Sequence, residues 1–140
     1  MINPNGTPVA SRHFAAVKAF TEAFGQPVGK DITAIDNGDL LEMRMALIDE
    51  EVEELFRELP VYVGLEGRMN KAALTKEVAD LLYVTYGLAV TFGLPIDEVF
   101  DRVHESNMSK LGEDGKPIYR DDGKVLKGPN YQPPSLDDLF

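Results

Sequence analysis

Thr75-Lys76-Glu77-Val78-Ala79-Asp80-Leu81-Leu82-Tyr83-Val84 is the stretch on which the reading of this chain turns. Glu77 and Asp80 are three residues apart, which puts both on one face of a helix. That face continues to Val84, Gly87 and Leu88, so it leads into apolar surroundings and not to a polar surface. An aspartate with such neighbours is expected to be at least partly buried. An ionised carboxylate buried alone is strongly unfavourable, so it must be paired or bound to a cation. A capping role does not suit a mid-helix position. An arginine such as Arg44 could pair with one acid, but one arginine cannot neutralise several.

Further acids lie one helix earlier, in Leu47-Ile48-Asp49-Glu50-Glu51-Val52-Glu53-Glu54-Leu55. With a turn of about 100° per residue, Glu54 stands about 40° and Glu51 about 100° from Glu50. The three share one side, and Glu51 falls close to the apolar stripe of Leu41, Met45, Ile48, Val52, Leu55, Phe56 and Leu59. Taken alone, this helix reads as a solvated acidic face, since like charges at i,i+4 cost only a few tenths of a kcal/mol. Taken with Glu77 and Asp80, it points to a shared cation site.

Working outward, four helices are expected. The first runs over Ser11–Phe24, with Phe14, Val17, Phe20, Ala23 and Phe24 at helical spacing, Ser11 as N-cap, and Gly25 and Pro27 ending it. The second covers about Asp39–Leu59 and stops at Pro60. The third, about Lys71–Phe92, is apolar almost all round in its second half and should be central, closed by Gly93. The fourth starts near Pro95, where proline suits a first turn, and continues to about Lys110. Beyond Leu111, Gly112, Gly115, Pro117, Gly123, Gly128, Pro129, Pro133 and Pro134 forbid a long helix. Ile118-Tyr119-Arg120 and Lys124-Val125-Leu126 flank Asp121-Asp122-Gly123 and predict a short hairpin. The expectation is an all-α fold in one domain over 1–140, with a helical bundle over about 11–110 and a tail over about 111–140.

Composition narrows the function. A chain of 140 residues with 44% hydrophobic residues is a folded globular domain. The absence of cysteine excludes disulfides, zinc–thiolate sites and thiol nucleophiles. A formal net charge of −10 repels nucleic-acid phosphates, so no nucleic-acid partner is expected. No segment has the apolar length of a membrane span, and Met1-Ile2-Asn3-Pro4-Asn5-Gly6 lacks the features of a signal peptide, so a cytoplasmic protein with no membrane partner is expected. With five oxygen ligands and only His13 and His104 as histidines, the acids select a hard cation, magnesium or manganese. A ferritin-like di-iron site would need two Glu-x-x-His motifs, and only Asp101-x-x-His104 comes near. An EF-hand is excluded because the acids lie on helices. Magnesium commonly shares its coordination with waters and substrate phosphates, which turns the inference toward phosphate chemistry.

Glu50-Glu51-x-x-Glu54 followed on the next helix by Glu77-x-x-Asp80 resembles the signature of the MazG-like all-α nucleotide pyrophosphatases. This superfamily includes dimeric dUTPases and phosphoribosyl-ATP pyrophosphohydrolase. The resemblance extends through Glu77–Gly87 and through His104-Glu105-Ser106-Asn107-Met108-Ser109-Lys110, and covers roughly Phe14 to Tyr131. It implies a four-to-five-helix bundle assembled as a homodimer or a dimer of dimers, and hydrolysis of a nucleoside triphosphate to monophosphate and pyrophosphate. Glu51, Glu54, Glu77 and Asp80 would hold two or three Mg²⁺ ions, for which Mn²⁺ could substitute. Glu50 would orient or deprotonate the attacking water, as base, ligand or both. Asn107, Lys110, Lys127 and Tyr131 are expected to contact the phosphates, with Arg120 and Lys124 as weaker candidates. For the nucleobase, Phe20, Phe24, Gln26 and Pro27 offer stacking surface and an amide; against this, both phenylalanines could be core and Gln26 solvated. dUTP and dGTP are the favoured substrates, a broader (d)NTP activity follows, and phosphoribosyl-ATP stands behind them. The competing expectations are a non-enzymatic acidic helical module, binding a partner or a structural cation, and an enzyme of the same fold releasing orthophosphate.

Overall fold

A computed structural model of the chain describes residue 4 and residues 9–30, 38–59 and 69–140. The expected stop at Pro60 and most of the N-terminal segment lie outside the described residues. Four α-helices occur among those described: α1 (Arg12–Ala23), α2 (Gly38–Arg57), α3 (Lys71–Phe92) and α4 (Ile96–Met108). A 3₁₀ turn at Asp137–Leu139 follows. The chain divides into two compact units, Met1–Leu94 and Pro95–Phe140. Among the described residues the fold is all-α, as the sequence predicts.

Local chemistry sets the helix ends. The Ser11 hydroxyl accepts a hydrogen bond from the Phe14 N–H at 3.1 Å, so it caps α1 as expected. Asn70 caps α3 by accepting from the N–H groups of Ala72 and Ala73. Gly93 ends α3 in the left-handed region at φ 63°, and the Leu94 N–H returns to the Ala89 carbonyl. Its neighbour across the turn is Gly29, whose Cα would stand 3.4 Å from a Cβ at Gly93. Gly29 and Lys30 donate their N–H groups to the Val90 and Thr91 carbonyls, tying the exit of α1 to the end of α3.

In the first unit α3 packs against both α2 and α1. The buried apolar side chains are Val17, Ala89, Val90 and Phe92, so the second half of α3 is central, as its composition predicts. The face of α2 differs from expectation. Met45 and Phe56, both counted in its apolar stripe, are exposed, whereas Arg44 is buried with 5% of its surface accessible. The helix is therefore rotated so that Arg44, Leu47, Ile48 and Glu51 turn toward its neighbours. Gly87 on α3 makes room for this, because a Cβ there would stand 2.9 Å from Arg44 Nη1.

The second unit holds α4 and the tail. The predicted hairpin is present as a minimal one: Tyr119 and Val125 form a single antiparallel bridge, and Gly123 turns at φ 82°. The Asp122 carboxylate accepts from the Lys124 N–H and pairs with Arg120, which fixes the turn from within. Tail and helix are joined by Ser106 Oγ donating to the Gln132 carbonyl, and by Gln132 N–H donating to Ser109 Oγ. Arg102 binds Asp138 through both oxygens. No single helix among the described residues is long and apolar enough to cross a membrane.

Candidate active site

Glu51 on α2 and Glu77 and Asp80 on α3 converge, each offering a carboxylate oxygen within 4.8 Å of the others. The i,i+3 spacing on α3 aims Glu77 and Asp80 toward α2, and the rotation of α2 carries Glu51 inward to meet them. Asp80 is half-buried, as its apolar neighbours predict, and Glu77 one turn before it is buried. One oxygen of Glu51, Oε2, is buried without a hydrogen-bond partner. Burial, and then the charges of Asp80, Glu54 and Glu50, hold the Glu51 carboxyl above the usual range, while Lys76 pulls it the other way.

The positive charge facing this group comes from Lys76. Its ammonium lies 2.8 Å from Asp80, 3.1 Å from Glu77 and 3.9 Å from Glu54. These contacts hold its pKa well above the usual lysine value. Arg44, the arginine that could have paired with one acid, donates instead to Gln26 Oε1 at 2.9 Å, away from the acids. The signal that points to the lysine is the i,i+4 spacing of Lys76 and Asp80. Glu54 approaches the cluster through Lys76, whereas Glu50 is exposed and outside the converging three.

The donor set fits a hard divalent cation. All three groups are carboxylates, one oxygen is buried and unsatisfied, and the cation that faces them is a flexible lysine 62% exposed at its side chain.

Around Arg44, a cavity of about 270 Å³ opens between α1, α2 and α3. Phe20 and Gln26, the expected base-contacting residues, both line it, with Tyr83 and Arg44. Phe20 stacks on Phe24 at 4.3 Å and meets the Tyr83 ring edge-on at 5.6 Å. Neither phenylalanine is core, since Phe20 is 38% and Phe24 69% exposed.

The four expected phosphate contacts gather in the second unit. Lys110 Nζ donates to Asn107 Oδ1 at 2.6 Å, and Lys127 Nζ lies 4.3 Å from the centre of the Tyr131 ring. The two pairs are linked by the Gly128 N–H, which donates to the Lys110 carbonyl at 2.8 Å. Arg120 is instead bound to Asp122. A separate cavity of about 320 Å³ is lined by Arg102 and Ser135 among others, but its guanidinium is already committed to Asp138 and Glu98.

An acidic cluster shared by neighbouring helices, in an all-α fold, agrees with the MazG-like class of pyrophosphohydrolases to which the family match assigns the chain. Within that class, the phosphoribosyl-ATP pyrophosphohydrolase family profile matches residues 17–107, and the chain belongs to that family. Membership supports a pyrophosphohydrolase activity. Among solved structures, one from Exiguobacterium sp. 255-15, provisionally described as an NTP pyrophosphohydrolase, is 24% identical over 90% of each chain with a TM-score of 0.45. No curated protein matches the chain.

Proposed function

We propose that the protein is a magnesium-dependent nucleoside triphosphate pyrophosphohydrolase, converting a (d)NTP and water to a (d)NMP and pyrophosphate. The observation that carries this reading is the convergence of Glu51, Glu77 and Asp80, with an unsatisfied buried oxygen on Glu51. Glu51, Glu77 and Asp80, with Glu54 beside them, would hold Mg²⁺ or Mn²⁺. When bound, the ions supply charge neutralisation at the polyphosphate and activation of water. Glu50 stands one residue from Glu51 on the same helix and is exposed to water. As the group outside the converging three, it is assigned to orient and deprotonate the attacking water at the α-phosphorus. Asn107, Lys110, Lys127 and Tyr131 would bind phosphate oxygens, the two ammonium groups balancing charge on the departing pyrophosphate. A deoxynucleotide such as dUTP or dGTP is the favoured substrate, in control of the nucleotide pool.

A screen of the eight common NTPs and dNTPs, with and without Mg²⁺, tests this assignment. Phosphoribosyl-ATP belongs in the same screen because the matching family bears that name. Release of pyrophosphate from a (d)NTP only when Mg²⁺ is present is the expected result. Release of orthophosphate would displace attack at the α-phosphorus, and turnover of none would favour a binding module. Turnover of phosphoribosyl-ATP alone would replace the (d)NTP with the substrate for which the matching family is named.

Assembly as a homodimer or homotetramer is part of the proposal. Met45 and Phe56 on α2, and Val78 and Leu82 on α3, are exposed apolar side chains in the single chain, and a second copy would cover them. A monomeric mass by light scattering at micromolar concentration would remove this element.

Lys76 competes with any cation for Glu77 and Asp80. Lys76→Met should therefore lower the Mg²⁺ concentration giving half-maximal thermal stabilisation, by up to roughly fivefold, since exposed ion pairs are worth at most about 1 kcal/mol. A higher requirement for Mg²⁺ in this variant would contradict the competition.

A further inference from the structure

The cavity beside Arg44 presents an unusual electrostatic situation. Arg44 is buried with 5% of its surface accessible, its Nε has no partner, and among the described residues its one hydrogen bond goes to a neutral amide, Gln26. Among the described residues no acid faces it. Burial draws its pKa below the usual arginine value, yet a guanidinium stays charged in a protein. A buried charge without a counter-charge is strongly unfavourable, and a ligand carrying acceptors relieves it. Gly87 supports the same arrangement, because a Cβ there would press on Nη1.

The cavity is also placed with respect to the acids. Arg44 precedes Glu51 by seven residues on α2, and Gly87 follows Asp80 by seven on α3. Seven residues are close to two helical turns, so Arg44 and Gly87 lie on the same faces of the helices as the acids, about 10 Å along them, with Leu47, Tyr83 and Val84 lining the cavity in between. That separation leaves room for a sugar between a ring in the cavity and a phosphate at the acids. Phe20 and Tyr83 supply aromatic walls, and about 270 Å³ is a volume for one ring system and not for a whole nucleotide.

We infer that this cavity holds the nucleobase, and that Arg44 selects bases presenting a carbonyl oxygen over those presenting an exocyclic amino group. The inference rests on the nucleotide reading of the preceding subsection and adds the chemical class of base. A guanidinium only donates. Gln26 Oε1 is engaged by Arg44, which leaves the amide N–H groups, donors again, as its free functions. Guanine offers adjacent O6 and N7 acceptors that a guanidinium meets with two bonds, and uracil offers O4. Adenine and cytosine place an amino group at the corresponding position, donor against donor.

The test is binding of dGMP, dUMP, dAMP and dCMP by calorimetry, in parallel with kcat/KM for the four matching triphosphates. The oxo bases should be favoured by roughly ten- to a hundredfold, guanine most. Arg44→Lys should weaken dGMP by a similar factor and leave dAMP nearly unchanged, since lysine keeps the charge but not the planar fork. Gln26→Leu, at a half-buried position, provides a second variant should Arg44→Lys fold poorly; by releasing the guanidinium it should narrow the same gap. Equal or tighter handling of the amino bases by the wild-type protein overturns the inference while leaving pyrophosphate release intact. Absence of pyrophosphate release from every nucleotide removes the parent reading instead; a dGMP preference abolished by Arg44→Lys would still establish the cavity as an oxo-base site.

Discussion

Glu77→Gln and Asp80→Asn should each lower magnesium-dependent pyrophosphate release by at least about a hundredfold. Replacing groups that merely orient metal ligands commonly costs about ten- to a hundredfold, so loss of a direct ligand should reach the upper end or exceed it. Glu77 is the more sensitive position because it is buried, and a neutral amide there cannot be compensated by water. Both substitutions remove a negative charge from a crowded acidic group, so the folded chain without metal should be as stable as the wild type, or more so. The signature is therefore divergence: melting temperature without Mg²⁺ retained or raised, and the several-degree rise on adding Mg²⁺ lost. Glu50→Gln should behave differently, depressing turnover while Mg²⁺ still stabilises the protein, because Glu50 is outside the converging three. Wild-type rates in all three variants would dismantle the proposed constellation.

Gly128→Ala should produce the other large effect, in the second unit. A Cβ at this buried position would stand 2.4 Å from the Leu111 carbonyl oxygen and 2.7 Å from that of Lys110, and backbone cannot swing aside as a side chain can. Relief requires moving the Lys127–Tyr131 segment, which breaks the Gly128 N–H bond to Lys110. Overpacking of this kind costs about 1–3 kcal/mol, and the lost hydrogen bond about another 1 kcal/mol. The damage should remain local, with α1, α2 and α3 keeping their helicity by circular dichroism while amides from Leu111 onward exchange faster with deuterium. Since the segment carries Lys127 and Tyr131, KM for the triphosphate should rise at least about tenfold, as expected for loss of charge-assisted contacts. Unchanged exchange and unchanged KM would show that the tail can accommodate a methyl group and that its packing on Lys110 is dispensable.

Features set by neighbours along the chain are legible in the sequence itself. Ser11 and Gly93 terminate helices through bonds made within a few residues, and the Asp-Gly step specifies its turn through the Asp122 carboxylate. The acid pair on α3 is legible for the same reason, because i,i+3 spacing fixes a common face. What escapes such a reading depends on partners distant in the chain. Met45 and Phe56 fit the apolar period of α2 as well as Ile48 does, yet in the fold they are exposed and Arg44 is buried against Gly87 of α3. An arginine partner for the acids is conceivable from the sequence, while in the fold the lysine beside Glu77 faces them. The family resemblance points to the acids and sets Glu50 apart from the other four, but that Glu51, Glu77 and Asp80 come closest together is read from the fold alone.

The two-turn offset along α2 and α3 keeps recognition and chemistry on separate segments of the same pair of rods. If the cavity holds the base as proposed, a point replacement among Phe20, Gln26, Arg44 or Tyr83 would alter what is recognised without replacing a carboxylate, so new preferences would be reachable one substitution at a time. A single-residue insertion between Arg44 and Glu51 is a different matter, since it turns one end about 100° against the other and misaligns both. Lineages descended from this scaffold should therefore diversify freely in those four positions while keeping the length of the intervening helix constant.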